Sequence, residues 1–202
     1  MAKGWLVYGY KAAGSNGRSR QVYFSQFKSR NRTVFWRCKP FWHARLQWYH
    51  WFQATRRGAQ AVRDDAKGFA HIMWETWSPP GWFDETDFDR VAESSENPDW
   101  VDVTLHSYRS RWDESEPDPI SKWLDDKIKA TKTIALSTVY FQGELDGVNP
   151  PKTSEQIAEK FTGPFERIVL PGVGHFPTHE APAEVAARLP QHFAGNNARA
   201  SE

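Results

Sequence analysis

The sequence predicts an α/β protein in which a helical, tryptophan-rich block precedes the last two strands of a parallel sheet. Three observations carry that reading. Two short β-branched or aromatic runs, leading into Tyr140-Phe-Gln-Gly143 and Val169-Leu-Pro-Gly172, each end in Gly/Pro turn chemistry. One ionisable residue follows each strand end: Asp146 after the first and His175 after the second. Between the runs, about Ser154 to Phe161 reads as a helix, giving a β-α-β unit whose strands are parallel and joined by a right-handed crossover. Both turns then open on one edge of the sheet, where adjacent strands lie roughly 4.8 Å apart. Asp146 and His175 are therefore expected to meet as a carboxylate–imidazole pair.

Composition bounds the rest. The chain has 202 residues, enough for one domain with a sizeable core, and 39% of them are apolar. Aromatics supply 15%, with eleven tryptophans, so the hydrophobicity resides in large rings. The single cysteine, Cys38, excludes a disulfide framework and a Cys-based zinc site, and suits a reducing compartment. No run approaches the roughly 18 apolar residues of a membrane helix. The N-terminus lacks the apolar segment and cleavage site of a signal peptide, so a cytoplasmic protein is the default. The net charge of +1 conceals a split: residues 1–63 hold thirteen Lys or Arg and no Asp or Glu, leaving residues 64–202 with a balance of −12.

Taken in order, residues 1–43 show no sustained period and are expected to be irregular. Trp5-Leu-Val-Tyr8 and Arg32-Thr-Val-Phe-Trp36 are strand-like, and Ala12 to Arg20 is Gly/Ser/Arg-rich. A basic segment spotted with rings is one composition of a nucleic-acid-binding arm, but no recognised motif accompanies the charge, and a plain tail is the stronger reading. From Ala44 the pattern turns helical. Leu46, Tyr49 and Phe52 or Gln53 share one face; Val62, Ala66, Phe69, Met73 and Trp77 suggest one amphipathic helix ended by Ser78-Pro-Pro-Gly81. Asp84 has the position of an N-cap, as does Asn97 before Pro98. Val101, Leu105, Tyr108 and Trp112 define the next helix, and Ile120, Leu124 and Ile128 another. Residues 44–130 are thus a helical block with most of the tryptophans, which are expected to form its core. Residues 131–194 supply the two strands and a closing helix from Ala183 to Phe193. Gly195 to Glu202 reads as a fraying tail.

Strand–Gly-x-x-Asp, followed about thirty residues later by strand–Pro-Gly-x-Gly-His-Phe, resembles the end of the α/β-hydrolase fold. The helical block, with Ser78-Pro-Pro-Gly-Trp-Phe83, Asn97-Pro-Asp-Trp100 and Ser107-Tyr-Arg-Ser-Arg-Trp112, resembles the lid of bacterial members near the epoxide hydrolases and haloalkane dehalogenases. The resemblance covers about residues 44–194. It implies the C-terminal portion of that fold, with Asp146 as the triad acid and His175 as the base that activates water. It further implies hydrolysis of an ester, epoxide or halide of a hydrophobic small molecule, with no cofactor and no metal. Tyr108, and with it Tyr49, match lid tyrosines that donate to the substrate oxygen. Glu144 is the competing carboxylate. His175 and His179 with Glu180 could suggest a metal site, but Pro177 between the two histidines breaks the helix an i, i+4 ligand pair needs. His71 and His106 read as core-edge histidines, and Arg109 and Arg111 as partners of the acidic surface.

The family also requires a nucleophile on a Gly-x-Ser-x-Gly or Gly-x-Asp-x-Gly elbow ahead of the lid. The nearest phrase, Ala13-Gly-Ser15-Asn-Gly17, has alanine at the first position and no apolar-faced helix after it. Ser15 reads as a turn residue, and the nucleophile is unassigned. Two strands, moreover, do not make the buried sheet a parallel fold needs. The simplest expectation is that residues 1–43 stand outside the fold, as a truncated or frame-shifted segment that rejoins the family near Ala44. The competing reading of the whole chain is a remnant with no catalysis of its own.

Overall fold

The computed structural model describes residues 5–8, 23–27, 41–110, 119–120 and 122–198. The chain divides into two compact units, one holding the helices up to Ala130, the other the strands and everything from Thr131 onward.

The helical unit contains α1 (Phe41–Leu46), α2 (Trp48–Ala54), α3 (Arg56–Asp64), α4 (Ala66–Trp77), α5 (Glu85–Ala92), α6 (Trp100–Arg109) and α7 (Lys122–Ala130). The run expected as a single helix through Val62 and Trp77 is two helices. Asp65 leaves helical geometry at φ −148°, and its Oδ1 accepts the N–H of Gly68 at 2.7 Å, so a carboxylate in mid-pattern starts a new helix. Thr55 does the same for α3 by accepting from Gly58 at 2.9 Å, and Asp84 for α5 by accepting from Asp87 at 2.8 Å. Asn97 caps one turn early: its Oδ1 accepts the N–H of Asp99, and the helix proper begins at Trp100. Ala59, Val62 and Leu105 form the buried centre, with Phe52, Phe69, Trp100 and Val101 packed around it. The expected tryptophan core holds in part: Trp48 and Trp51 are exposed, while Trp100 packs against this centre and Trp74 and Trp77 are half-buried. An indole is too large to be enclosed fully by helices this short. A second knot joins Trp74, Trp82, Phe83 and Phe88, where Trp82 Nε1 donates to the Trp74 carbonyl at 2.9 Å. Trp112, Arg111 and Ser15 lie outside the described residues.

The sheet unit has four strands in the order β1 (Trp5–Tyr8), β2 (Tyr23–Phe27), β3 (Thr138–Gly143), β4 (Phe165–Leu170). β1 and β2 are antiparallel; β2 runs parallel to β3, and β3 parallel to β4 from Thr138↔Phe165 through Gly143↔Leu170. Two short segments of residues 1–43 thus stand in the sheet as β1 and β2. Both segments are rich in aromatic strand formers, and β3 would otherwise present an unpaired edge. The strand-like Arg32 to Trp36 and the rest of the basic segment lie outside the described residues.

β3 is buried at every position, as a parallel strand covered on both faces must be. Val139 and Phe141 pack with Leu170, Val173, Ala181 and Val185 on one face; Tyr140 packs with Ile157, Ile134, Phe161 and Phe165 on the other. The crossover expected as a helix over 154–161 is instead two 3₁₀ turns, Pro151–Ser154 and Ile157–Lys160. The stretch is too short to sustain a helix nucleus, and the Ser154 hydroxyl bonds to side chain and carbonyl rather than leaving the backbone to propagate. After β4 come α8 (Pro177–Glu180) and α9 (Pro182–Ala198), so the closing helix runs past Gly195 into the expected tail.

Candidate active site

Two turns leave the same end of the sheet, one after β3 and one after β4, and they are laced together by backbone. Glu144 N–H donates to the Leu170 carbonyl at 3.0 Å and Leu145 N–H to that of Val173 at 2.8 Å. The Glu144 carboxylate accepts the N–H of Gly172 at 2.9 Å, where φ is +71°, a left-handed turn that glycine adopts without strain. Glu144, the competing acid in the sequence, therefore fastens the second turn and does not face the histidine.

The pair expected at the strand ends is formed. His175 Nδ1 lies 2.8 Å from Asp146 Oδ1, and the two residues are 5% and 6% exposed. An ionised carboxylate only accepts, so Nδ1 carries the proton in this contact. Oδ1 of Asp146 also accepts the N–H groups of Val148 and Asn149, each at 2.8 Å. The acid is thus held by its own turn before it reaches the imidazole. Removing one member of such a buried pair leaves the other uncompensated, at a cost of about 3–5 kcal/mol.

The histidine turn is held by Glu180. One carboxylate oxygen accepts from Gly174 N–H at 2.5 Å, the other from Phe176 N–H at 2.8 Å, so the amides on both sides of His175 are bound by one side chain. Pro177 opens the short α8 and aims Glu180 back at the turn. Glu180, weighed with His175 and His179 as a metal site, makes these bonds instead, and among the described residues no group of three His, Cys, Asp or Glu gathers to hold a metal.

Under the acid turn lies a buried polar network that the sequence reading missed. Gln142 Nε2 donates to the carbonyls of Gly143 at 3.0 Å and Asn149 at 2.9 Å, while Oε1 accepts from Ser154 Oγ at 2.8 Å and Tyr140 Oη at 3.4 Å. Arg167 donates to Ser154 Oγ at 3.0 Å and to the Pro151 carbonyl at 2.8 Å. Burial first, and then the nearby Asp146 charge, push the Tyr140 phenol up to about 12, against opposing contributions from Arg167 and a hydrogen bond with Ser154. The available signal was a glutamine inside an otherwise apolar strand and an arginine inside the next.

In the helical unit, Tyr49 and Tyr108 meet edge to face with ring centroids 5.3 Å apart, beside His50 and Trp77. Arg109 does not serve the acidic surface. Its Nε donates to the Gln53 carbonyl at 2.9 Å and its Nη2 to that of Thr55 at 3.4 Å, tying α6 to the end of α2. His71 sits at a core edge, ringed by Phe83 and Phe88 with Glu85 at 3.1 Å, and His106 is exposed on α6.

A parallel β3–β4 pair with an acid after one strand, a histidine after the next, and a helical unit ahead of both is the C-terminal portion of an α/β-hydrolase fold. Solved structures agree. A presumed epoxide hydrolase from Klebsiella pneumoniae superposes with a TM-score of 0.77 at 26% identity, over 88% of this chain and 59% of that one. An epoxide hydrolase of the α/β-hydrolase superfamily from hot-environment metagenomes superposes at 0.54 with 21% identity, over 76% and 52% of the two chains. The epoxide hydrolase CorEH does so at 0.56 with 16% identity, over 78% and 53%. In sequence, the chain is 32% identical to Epoxide hydrolase A of Mycobacterium tuberculosis over 66 residues, 33% of this chain and 20% of that protein. No protein-family model matches. The chain is therefore similar to hydrolases, the epoxide hydrolases among them, and spans 59% of the Klebsiella structure's length. No described helix is long and apolar enough to cross a membrane.

Proposed function

We propose that this chain carries the acid and base of a hydrolase that opens an epoxide of a hydrophobic small molecule through a covalent intermediate. Esters and halides are the other substrate classes the same pair would serve. The observation that supports the reading is the 2.8 Å contact between His175 Nδ1 and Asp146 Oδ1 in a buried setting. With Nδ1 committed to the carboxylate, Nε2 takes a proton from water as the water oxygen attacks the carbonyl of the enzyme-bound ester. Asp146 stabilises the imidazolium, the alcohol oxygen leaves with that proton, and the acid so released returns to carboxylate by giving up the second water proton, which restores the donor of the ring-opening step. In the preceding step a carboxylate nucleophile attacks a ring carbon, and the epoxide C–O bond breaks toward a proton donor, for which Tyr108 and Tyr49 in a lid are the candidates. The nucleophile itself has no assigned residue.

That gap favours a second reading, a fold without catalysis of its own. No Gly-x-Ser-x-Gly or Gly-x-Asp-x-Gly phrase occurs anywhere in the sequence. The two are separated by assaying the folded protein with an aryl epoxide and an activated aryl ester. Turnover abolished in His175→Ala supports catalysis; no turnover from folded protein supports the second reading.

A further inference from the structure

We infer that Gln142 is a positioning residue for the acid–base pair, acting as a buckle across the turn that carries Asp146. The inference rests on the reading of Asp146 and His175 as that pair. Gln142 is 2% exposed and stands at the end of β3. Its Nε2 binds the carbonyls of Gly143 and Asn149, the residues immediately before and after the turn 144–148. One amide nitrogen thereby closes the neck of the loop on which Asp146 sits.

The far side of the buckle is anchored as well. Its Oε1 accepts from Ser154 Oγ, which in turn accepts from Arg167 Nε on β4. Arg167 also holds the Pro151 carbonyl, just beyond Asn149. The N–H of Asn149 donates to Asp146 Oδ1, and that same oxygen meets His175 Nδ1. Gln142 therefore binds the carbonyl of the residue whose N–H orients the acid. A glutamine suits this place better than any other side chain. The site needs two donors toward carbonyls and an acceptor toward hydroxyls on one planar group of fixed length. A carboxylate there would face two carbonyl oxygens with no proton to offer them, and a buried acceptor pair left unmatched loosens the turn.

The test reads the hydrogen-bonded His175 Nδ1–H directly, by its downfield proton resonance and its exchange with solvent, in the full chain and without any substrate. His175→Gln, which removes the resonance, assigns it. The variants are Gln142→Glu and, should that fail to fold, Gln142→Met, which keeps the length and removes the donors; thermal unfolding establishes that each is folded. The expected result is exchange at least about tenfold faster, or loss of the resonance, in a variant that still unfolds cooperatively. Ser154→Ala, which leaves both Nε2 donors in place, is expected to change exchange less than Gln142→Glu. A folded Gln142 variant with unchanged exchange overturns the buckle and leaves the acid–base reading standing. If the wild-type protein shows no such resonance, the pair itself is refuted and the buckle falls with it.

Discussion

Gly143 passes beneath Gly174 with no room for a side chain: a Cβ at Gly143 would lie 1.8 Å from the Gly174 carbonyl oxygen and 2.6 Å from that of Val173. At this point the two turns meet backbone to backbone, and neither can yield there by rotating a side chain. Gly143→Ala forces the histidine turn outward. We expect it to destabilise the protein by about 1–3 kcal/mol, as overpacking does, and to lengthen the contact between Asp146 and His175. Urea unfolding measures the first effect and the Nδ1–H resonance the second. A variant as stable as the parent would show that the turns do not press together here.

Glu180 offers a contrasting case, since it works by charge rather than by absence. Its two oxygens accept from the amides that flank His175. Glu180→Ala leaves both N–H groups seeking water, and hydrogen bonds to a charged acceptor contribute about 1.5–3 kcal/mol each when protected. The side chain is half-exposed, so a loss on the order of 2 kcal/mol is expected. Glu180→Gln keeps one acceptor and should recover part of it. Amide exchange at Gly174 and Phe176 is the local readout; if it stays unchanged in Glu180→Ala, the carboxylate does not hold the turn.

The sequence showed this end of the molecule more clearly than the other. β3 and β4 each combine a short apolar run with Gly/Pro punctuation, and a parallel pair admits one arrangement of the turns, so Asp146 and His175 could be brought together from spacing alone. What holds them could not. Glu180 lies beyond a proline and folds back; Gln142 and Arg167 sit in strands where their side chains look like interruptions. Their partners are mainly backbone carbonyls and amides, which leave no trace in residue type. In the helical unit, Asp65 hid a helix boundary because Val62, Ala66 and Phe69 keep helical spacing across it. β2 was not read because Tyr23 to Phe27 has no clean alternation, and its parallel partner in β3 lies 116 residues away in sequence, Tyr23 pairing with Val139.

Asp146→Asn separates placing an acceptor oxygen from supplying a negative charge. The asparagine oxygen can still accept from Val148 and Asn149, as the aspartate oxygen does. That same oxygen meets His175 Nδ1, so an asparagine turned to keep the turn still accepts from Nδ1–H, and what the site loses is the negative charge, with an N–H₂ in place of the second oxygen. The turn and the Nδ1–H form are expected to persist, while the imidazolium loses the counter-charge that stabilises it. If the protein turns over an epoxide or ester, the rate should fall by about 10³–10⁴. Nitrogen chemical shifts of His175 report the tautomer independently of activity, and loss of the Nδ1–H form would contradict the arrangement.

Tyr140 provides a prediction at alkaline pH. Its phenol is raised to about 12, chiefly by burial and then by the Asp146 charge, whereas a tyrosine in the unfolded chain ionises near pH 10. Below about pH 10 both states hold the proton, and the contribution of this group to stability is fully present. Between about pH 10 and 12 the unfolded chain sheds the proton while the folded one keeps it, so ionisation favours unfolding. A shift of this size corresponds to a loss on the order of 2–3 kcal/mol across that window, the slope reaching about 1.4 kcal/mol per pH unit. Tyr140→Phe removes the titrating group and the 3.4 Å bond to Gln142. It is therefore expected to be less stable than the parent by about 0.5–1.5 kcal/mol near neutrality. With rising pH its stability should fall more gently than the parent's, and the two curves should approach or cross above about pH 11. Denaturant unfolding of both proteins at several alkaline pH values measures the difference, in which the titrations common to both cancel. Parallel curves for the two proteins would mean that Tyr140 ionises as readily when folded as when unfolded, and that the strand does not exclude water from the floor of the acid turn.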